Sequence, residues 1–198
     1  EDQILVGSIG EGTEESAAVN HIWTRQEDGS WTMTGHLASR SIALQQNGVQ
    51  VAIHGDLALV GAPMANERAG AVVVFQKGED GSWSEIQSLT MPVAAANQLF
   101  GSSIFLHNGR AVIGAPGYEK RIGGVGVFHF NDETNTLDFT LRLSPTTASG
   151  NEMFGTSQVH DPSHTLWVGA PGANNREGAA YMFKPADMMR AFSAKGEV

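Results

Sequence analysis

The chain has 198 residues, 24 glycines, seven prolines and no cysteine, and it carries a formal charge of −9 with a pI near 5.1. With no lysine-rich or arginine-rich run, that charge excludes nucleic acid and an anionic membrane surface as partners, and the lack of cysteine excludes disulfide staples. The length suffices for one good core; no leader or transmembrane run is found, and a chain opening at Glu1 reads as processed or excised.

Taken in order, the first predicted strand is Ile4-Leu5-Val6-Gly7 and the second runs from Ala18 to Trp23. Glu27-Asp28-Gly29-Ser30-Trp31 then places Asp-Gly between two apolar runs, a hairpin whose turn needs positive φ. In the next stretch Val51-Ala52-Ile53, Leu57 to Val60 and Val72 to Phe75 are short, β-branched or aromatic, and bounded by Gly, Asn, Asp or Pro, which is strand punctuation. Glu79-Asp80-Gly81-Ser82-Trp83 repeats the hairpin. Trp83 to Ser88 alternates without a uniformly apolar face, the pattern of a half-exposed edge strand. Two further stretches follow the same plan. One starts at Phe100-Gly101, passes Gly114-Ala115-Pro116 and Gly123 to Phe128, and opens its fourth strand at Leu137. The other starts at Phe154-Gly155 and passes Gly169-Ala170-Pro171 and Gly178 to Phe183. No amphipathic helix of ordinary length precedes residue 185, and the last stretch has at best a poor fourth strand around Met188 to Phe192.

The recurrence is periodic. Gly61-Ala62-Pro63, Gly114-Ala115-Pro116 and Gly169-Ala170-Pro171 stand 53 and 55 residues apart (61 to 114, 114 to 169), with Val6-Gly7-Ser8 as a degenerate copy 54 residues before the first (7 to 61). Asn47-Gly48 takes the Phe-Gly place in the second unit. A fixed period of this size means repeated supersecondary units. Four antiparallel strands per unit, with small residues on the inner strands where neighbouring units crowd, describe an all-β fold: a β-propeller of four-stranded blades. About four blades are expected, the first lacking its inner strand, in one domain with repeats at about 1–40, 41–92, 93–146 and 147–198. A parallel β-helix, whose coils need no Asp-Gly hairpin, ranks below it. Because a propeller must hide its edges, three closures are open: a compact four-bladed ring, self-association of two chains, or excision from a larger propeller, which is favoured.

Phe-Gly followed by Gly-Ala-Pro at this spacing resembles the FG-GAP repeat of integrin α-subunit propellers and of many surface proteins, over roughly residues 4 to 184. The resemblance implies a non-catalytic extracellular or cell-surface binding and adhesion propeller with a protein partner. Many such repeats carry an Asp-x-Asp-x-Asp-Gly calcium loop between their first two strands. Here that connection is His54-Gly55-Asp56, His107-Asn108-Gly109 and His160-Asp161-Pro162-Ser163-His164. Those segments lack enough oxygen ligands, so tight turns without calcium are expected, and no metal or cofactor is assigned. His54, His107 and His160 recur every 53 residues, but equivalent positions diverge from a propeller axis, so they read as turn residues capping local backbone.

Arg68, Arg121 and Arg176 each stand two residues before the glycine that opens strand three, beside Glu67, Glu119 and Glu177. In the integrin-like arrangement this connection lies on the ligand-bearing face, where three registered arginines would grip carboxylates or sulfates bidentately. The opposing reading is that each pairs with a glutamate and ties the loops together. No catalytic residue is assigned, since Gly-x-Ser-x-Gly, His-Glu-x-x-His, P-loop and dinucleotide patterns are all missing. The leading expectation is therefore a non-enzymatic protein-binding module. Its alternatives are a lectin-like propeller for acidic or other glycans, or the accessory propeller of a larger secreted enzyme. Trp23, Trp31, Trp83 and Trp167 read as packing residues rather than exposed glycan platforms.

Overall fold

The computed structural model describes residues 2–8, 20–39, 41, 50–145 and 150–185. Ala18 and Val19, the Asn47-Gly48 pair and the Met188 to Phe192 segment lie outside the described residues. The strands are β1 (Gln3–Val6), β2 (Asn20–Arg25), β3 (Trp31–Leu37), β4 (Val51–His54), β5 (Leu57–Ala62), β6 (Ala71–Lys77) and β7 (Trp83–Leu89), followed by β8 (Ser103–His107), β9 (Arg110–Ala115), β10 (Gly124–Asn131), β11 (Thr136–Leu143), β12 (Ser157–His160), β13 (Leu166–Ala170) and β14 (Ala179–Phe183).

They form four antiparallel sheets in simple sequential order: β1-β2-β3, β4-β5-β6-β7, β8-β9-β10-β11 and β12-β13-β14. These are propeller blades, and the inner strands β4, β8 and β12 adjoin from blade to blade. Among the described residues the first blade has three strands, β1-β2-β3. Each predicted Asp-Gly hairpin forms, with Gly29 at φ 84° and Gly81 at φ 81°. Asp28 and Asp80 brace these turns by accepting bonds from the backbone N–H of Ser30 (2.9 Å) and Ser82 (3.0 Å).

Every residue of β5 is buried, because its two faces meet different neighbours. Leu57, Leu59, Val72 and Val74 pack toward Ile113, Phe128 and Leu137 of the third blade. Ala58, Val60, Val73 and Phe75 pack toward Ile22 and Leu37 of the first. Val112 and Val125 face Phe154, Leu166 and Val168 of the fourth. A strand sandwiched this way reads as a continuous apolar run rather than an alternating one. Each fully buried Phe or Leu contributes roughly 1.5–3 kcal/mol.

The two repeated motifs meet at these junctions. Phe100 and Phe154 are fully buried, and their backbone N–H groups bond the carbonyls of Ala69 and Ile122 in the preceding blade, both at 3.0 Å. The N–H of Gly101 bonds Gly114 of its own blade (3.0 Å), while its carbonyl lies against Gly61 of the blade before. Phe-Gly thus clasps two successive Gly-Ala-Pro segments. The motif joins blades; it does not present a ligand surface.

The tryptophans correct the sequence reading. Trp83 packs into the junction between the first two blades, but Trp23, Trp31 and Trp167 are 36–39% exposed. Trp23 and Trp167 lie on the free faces of the two terminal blades, which among the described residues have no neighbouring blade to cover them. Among the described residues no helix is long and apolar enough to cross a membrane.

Candidate functional site

After each Gly-Ala-Pro the chain makes one turn of left-handed backbone. Asn66, Glu67 and Arg68 have φ of 53°, 56° and 65°; Glu119, Lys120 and Arg121 have 45°, 57° and 70°; Asn174, Asn175 and Arg176 have 51°, 55° and 75°. A non-glycine residue in this region costs roughly 1–2 kcal/mol, so three in succession need compensation. The first two turns receive it from both sides, the third, among the described residues, from within the turn. Within the turn, Gly70, Gly123 and Gly178 donate their N–H groups to Ala65, Tyr118 and Ala173 at 2.9–3.0 Å. From the next blade, the N–H of Leu99 bonds Arg68 O (2.9 Å) and that of Met153 bonds Arg121 O (2.9 Å). The asparagines, which tolerate left-handed backbone better than most residues, were the available signal for this turn, and sequence reasoning passed over them.

The turns place Arg68, Arg121 and Arg176 at the β5–β6, β9–β10 and β13–β14 connections, all at one end of the propeller and all exposed. Arg121 and Arg176 line a single cleft of about 260 Å³ with Asn151, Met153, Pro171 and Gly172. Arg121 Nη2 donates to Met153 Sδ at 3.2 Å. Arg68 is not among the residues of that cleft and stands one junction earlier. The loop-tying alternative does not describe Glu119, whose carboxylate pairs with Arg142 at 2.9 Å, a guanidinium that also lies 4.6 Å over the Tyr118 ring. Among the described residues no ion pair joins Arg68, Arg121 or Arg176 to a carboxylate. Between the cleft residues Asn151 and Met153, the buried Glu152 turns inward and accepts a bond from Tyr181 Oη at 3.0 Å. Burial first, and that bond second, push the Tyr181 hydroxyl pKa up. Two guanidinium groups at the mouth of one cleft suit a carboxylate, sulfate or phosphate group, which accepts paired N–H bonds from each.

At the opposite end the β4–β5 and β8–β9 connections are tight turns, Gly55-Asp56 and Asn108-Gly109, as expected. The histidines beside them depart from expectation. His54 and His107 have ring centroids 4.5 Å apart, His107 and His164 are 6.2 Å apart, and Phe105 stacks on His160 at 3.8 Å with planes 7° from parallel. They converge because they end or follow the innermost strands, where the propeller radius is smallest. They do not cap local backbone.

No protein-family description matches this chain, and no curated protein sequence does. Solved structures do resemble it. A Bacteroides fragilis protein provisionally assigned as a 6-phosphogluconolactonase superposes with TM-score 0.55 and 14% identity, over 92% of this chain and 54% of that one. A leech intramolecular trans-sialidase gives 0.56 and 8% over 94% of this chain and 30% of its own. The NanB sialidase of Streptococcus pneumoniae gives 0.55 and 10% with the same 94% and 30% coverage. The likeness establishes the β-propeller fold. The chain spans about half the length of the first and under a third of the other two.

These neighbours overturn the leading functional expectation. These three carry enzyme names, so a non-catalytic adhesion module for protein partners is withdrawn. The physical reason is visible at the blade junctions. Phe100, Phe154 and the Gly-Ala-Pro glycines are consumed in packing blades together, so the motif that suggested adhesion reports architecture and carries no ligand chemistry.

Proposed function

We propose that this chain is a lectin-like propeller arc that binds an acidic glycan at the Arg121–Arg176 cleft. The carrying observation is that cleft: two exposed guanidinium groups, without carboxylate partners among the described residues, on left-handed turns, that of Arg121 held also from the next blade. An acidic sugar matches it, because its carboxylate or sulfate engages the arginines while its ring covers Met153 and Pro171. The leech neighbour was determined with 2,7-anhydro-Neu5Ac, a carboxylated sugar, which supports the ligand class. Arg68 would extend the contact to a longer chain across the preceding junction. The repeat is of FG-GAP type in this reading, supported by the Phe-Gly clasp on successive Gly-Ala-Pro segments, and the arc works outside the cell, where acidic glycans are found.

The chain contributes binding, with turnover residing elsewhere. The share of the sialidases it spans, 30%, favours the accessory propeller of a larger secreted enzyme as its setting. The test is a panel of sialylated, uronic-acid and sulfated oligosaccharides titrated into the full chain. Binding that falls about tenfold or more in the Arg121→Ala/Arg176→Ala variant is expected. Failure of every acidic oligosaccharide to bind, or release of product from a fluorogenic acidic glycoside, would overturn this reading.

A further inference from the structure

The histidine end of the propeller holds a cavity of about 310 Å³, lined by Phe105, His107, Asn108, Arg110, His160 and His164 with Pro185 at its edge. Among the described residues no carboxylate lines it. Asp161, next to His160 in the chain, is engaged elsewhere: one oxygen accepts from the N–H groups of Ser163 (2.9 Å) and Thr165 (3.1 Å), the other from Trp167 Nε1 at 3.3 Å. Two buried nitrogens in the cavity wall, Arg110 Nε and His160 Nε2, have no hydrogen-bond partner among the described residues. A buried donor left unmet costs about 1–3 kcal/mol, and more on a charged group. Among the described residues no cluster is arranged to hold a metal ion. In a chain of charge −9, a fixed cation ringed by imidazoles, with no carboxylate among the described lining residues, is a local inversion of the overall field.

We infer that this cavity is a site for a small tetrahedral oxyanion, a sulfate or phosphate group, held by the Arg110 guanidinium and by the ring N–H groups of His160, His107 and His164. Such an ion supplies several acceptor oxygens and satisfies both orphaned nitrogens at once. The Phe105 ring, stacked on His160, keeps that imidazole from turning away. Burial first, and then the charges of Arg110, His164 and His107, hold the His160 pKa down to about 4, with Asp161 opposing weakly. A bound anion reverses those charge effects, so the complex takes up a proton and binding strengthens as pH falls.

The experiment is a sulfate titration of the full chain at constant ionic strength, followed by the NMR signals of the histidine rings. Sulfate keeps its charge between about pH 8 and pH 6, so any pH dependence belongs to the protein. Saturable shifts at His160, His107 and His164 are expected, with Kd on the order of 1–10 mM near neutral pH and several-fold tighter at the acid end. Arg110→Gln is expected to abolish them, and His160→Gln to remove most of the pH dependence. The Arg121→Ala/Arg176→Ala variant leaves these shifts intact, which separates this site from the glycan cleft at the other end. Linear, unsaturated shifts in the folded chain, or unchanged binding in Arg110→Gln, would overturn the site. Inorganic phosphate as a second probe tells whether a titrating dianion is preferred.

A different observation concerns the faces of the terminal blades that, among the described residues, no neighbouring blade covers. On the first blade Ile4, Trp23 and Met33 stand directly opposite one another across β1, β2 and β3 and are 45%, 36% and 52% exposed. On the fourth, Val159, Trp167 and Met182 do the same across β12, β13 and β14 and are 60%, 38% and 48% exposed. The repeat register makes Trp23 the counterpart of Phe75 and Phe128, and Trp167 and Met182 the counterparts of Leu59 with Val74 and Val112 with Val127. All of these counterparts are buried against a neighbouring blade. The two free faces are therefore the two complementary halves of the junction that the chain already makes three times. The structure assigns them to a second copy of this chain, joined head to tail so that the fourth blade of each packs on the first blade of the other, closing a ring.

Sedimentation is expected to give twice the chain mass of 21.0 kDa. Trp23→Asp and Trp167→Asp should each be monomeric with unchanged circular dichroism, and their mixture should recover a heterodimer through its one intact junction. A monomeric parent chain at about 100 μM, or a dimer that survives either substitution, would overturn the pairing.

Discussion

The α-carbon of Gly114 lies so close to the carbonyl of Gly155 that a Cβ at position 114 would overlap the carbonyl oxygen. Gly114 closes the second strand of the third blade and Gly155 opens the fourth, so the contact is backbone against backbone across a junction. It is sealed by Ser103 Oγ, which donates to the same carbonyl at 2.9 Å from a buried position.

Gly114→Ala should therefore cost about 2–4 kcal/mol, since two main chains must separate and a well-packed junction must open. Gly169→Ala should cost far less. The same position in the fourth blade has no following blade among the described residues, and its nearest neighbour is the Ser157 hydroxyl, which can rotate away. Urea unfolding of both variants, with m-values compared against the parent, tests the ranking. Equal losses would mean that the glycine is retained for strand geometry and not for blade approach.

Much of this was readable in advance, for a definite reason. Gly-Ala-Pro, Phe-Gly and Asp-Gly are imposed by backbone approach and turn geometry, which depend on residues within one repeat, so the sequence displays them directly. The convergence of His54 and His107 depends on how far apart inner strands sit at the end of the propeller, a distance that no local pattern encodes. Trp23 and Trp167 show the same limit from the other side. Their repeat positions are core positions, and only blade count decides whether a core position finds a partner. The three arginines share one register in the sequence, but the left-handed turn that presents them, and the pairing of Glu119 with Arg142 rather than Arg121, depend on tertiary contacts.

Lys120 sits in the middle of a left-handed turn at φ 57° and is exposed. Lys120→Gly relieves the Cβ clash while adding chain entropy to the unfolded state, so a net gain of up to about 1 kcal/mol is expected. Lys120→Val, which brings a β-branched side chain into the same backbone region, should lose about 1–2 kcal/mol. Thermal unfolding of the pair reads the strain directly: a loss in the glycine variant and none in valine would show that the turn is not left-handed.

Acid should weaken the fold in two stages. His160 has a folded-state pKa near 4 against an ordinary 6.5. As pH falls below 6.5 the unfolded chain therefore takes a proton that the folded chain refuses, and stability drops until about pH 4. Allowing for the partial exposure of the ring, the loss is about 1–2 kcal/mol. Asp28, Asp80 and Asp161 are each held below the ordinary carboxylate value, first by the side-chain bond from Ser30, Ser82 or Ser163. Their contribution is present above the unfolded value of 3.8 and fades only below it. A melting-temperature profile from pH 8 to pH 3 in a weakly binding buffer should show both stages, with the first flattened in His160→Gln and the second reduced in Asp80→Asn.

The arginines of the cleft should be dispensable for stability. Arg121 and Arg176 are exposed, and neither forms an ion pair among the described residues; the contact of Arg121 with Met153 Sδ is weak. Replacing both by alanine is expected to change unfolding free energy by no more than about 0.5 kcal/mol, the range of ordinary surface substitutions. Arg142 is the internal comparison. It packs over Tyr118, bonds Glu119 and is a third exposed at its side chain, so Arg142→Ala should cost about 1 kcal/mol through lost packing as well as lost charge. A loss above about 1 kcal/mol in the double variant would make the cleft arginines structural, and any fall in glycan binding would then follow from a disturbed turn. An unchanged melting curve with lost binding assigns them to the ligand.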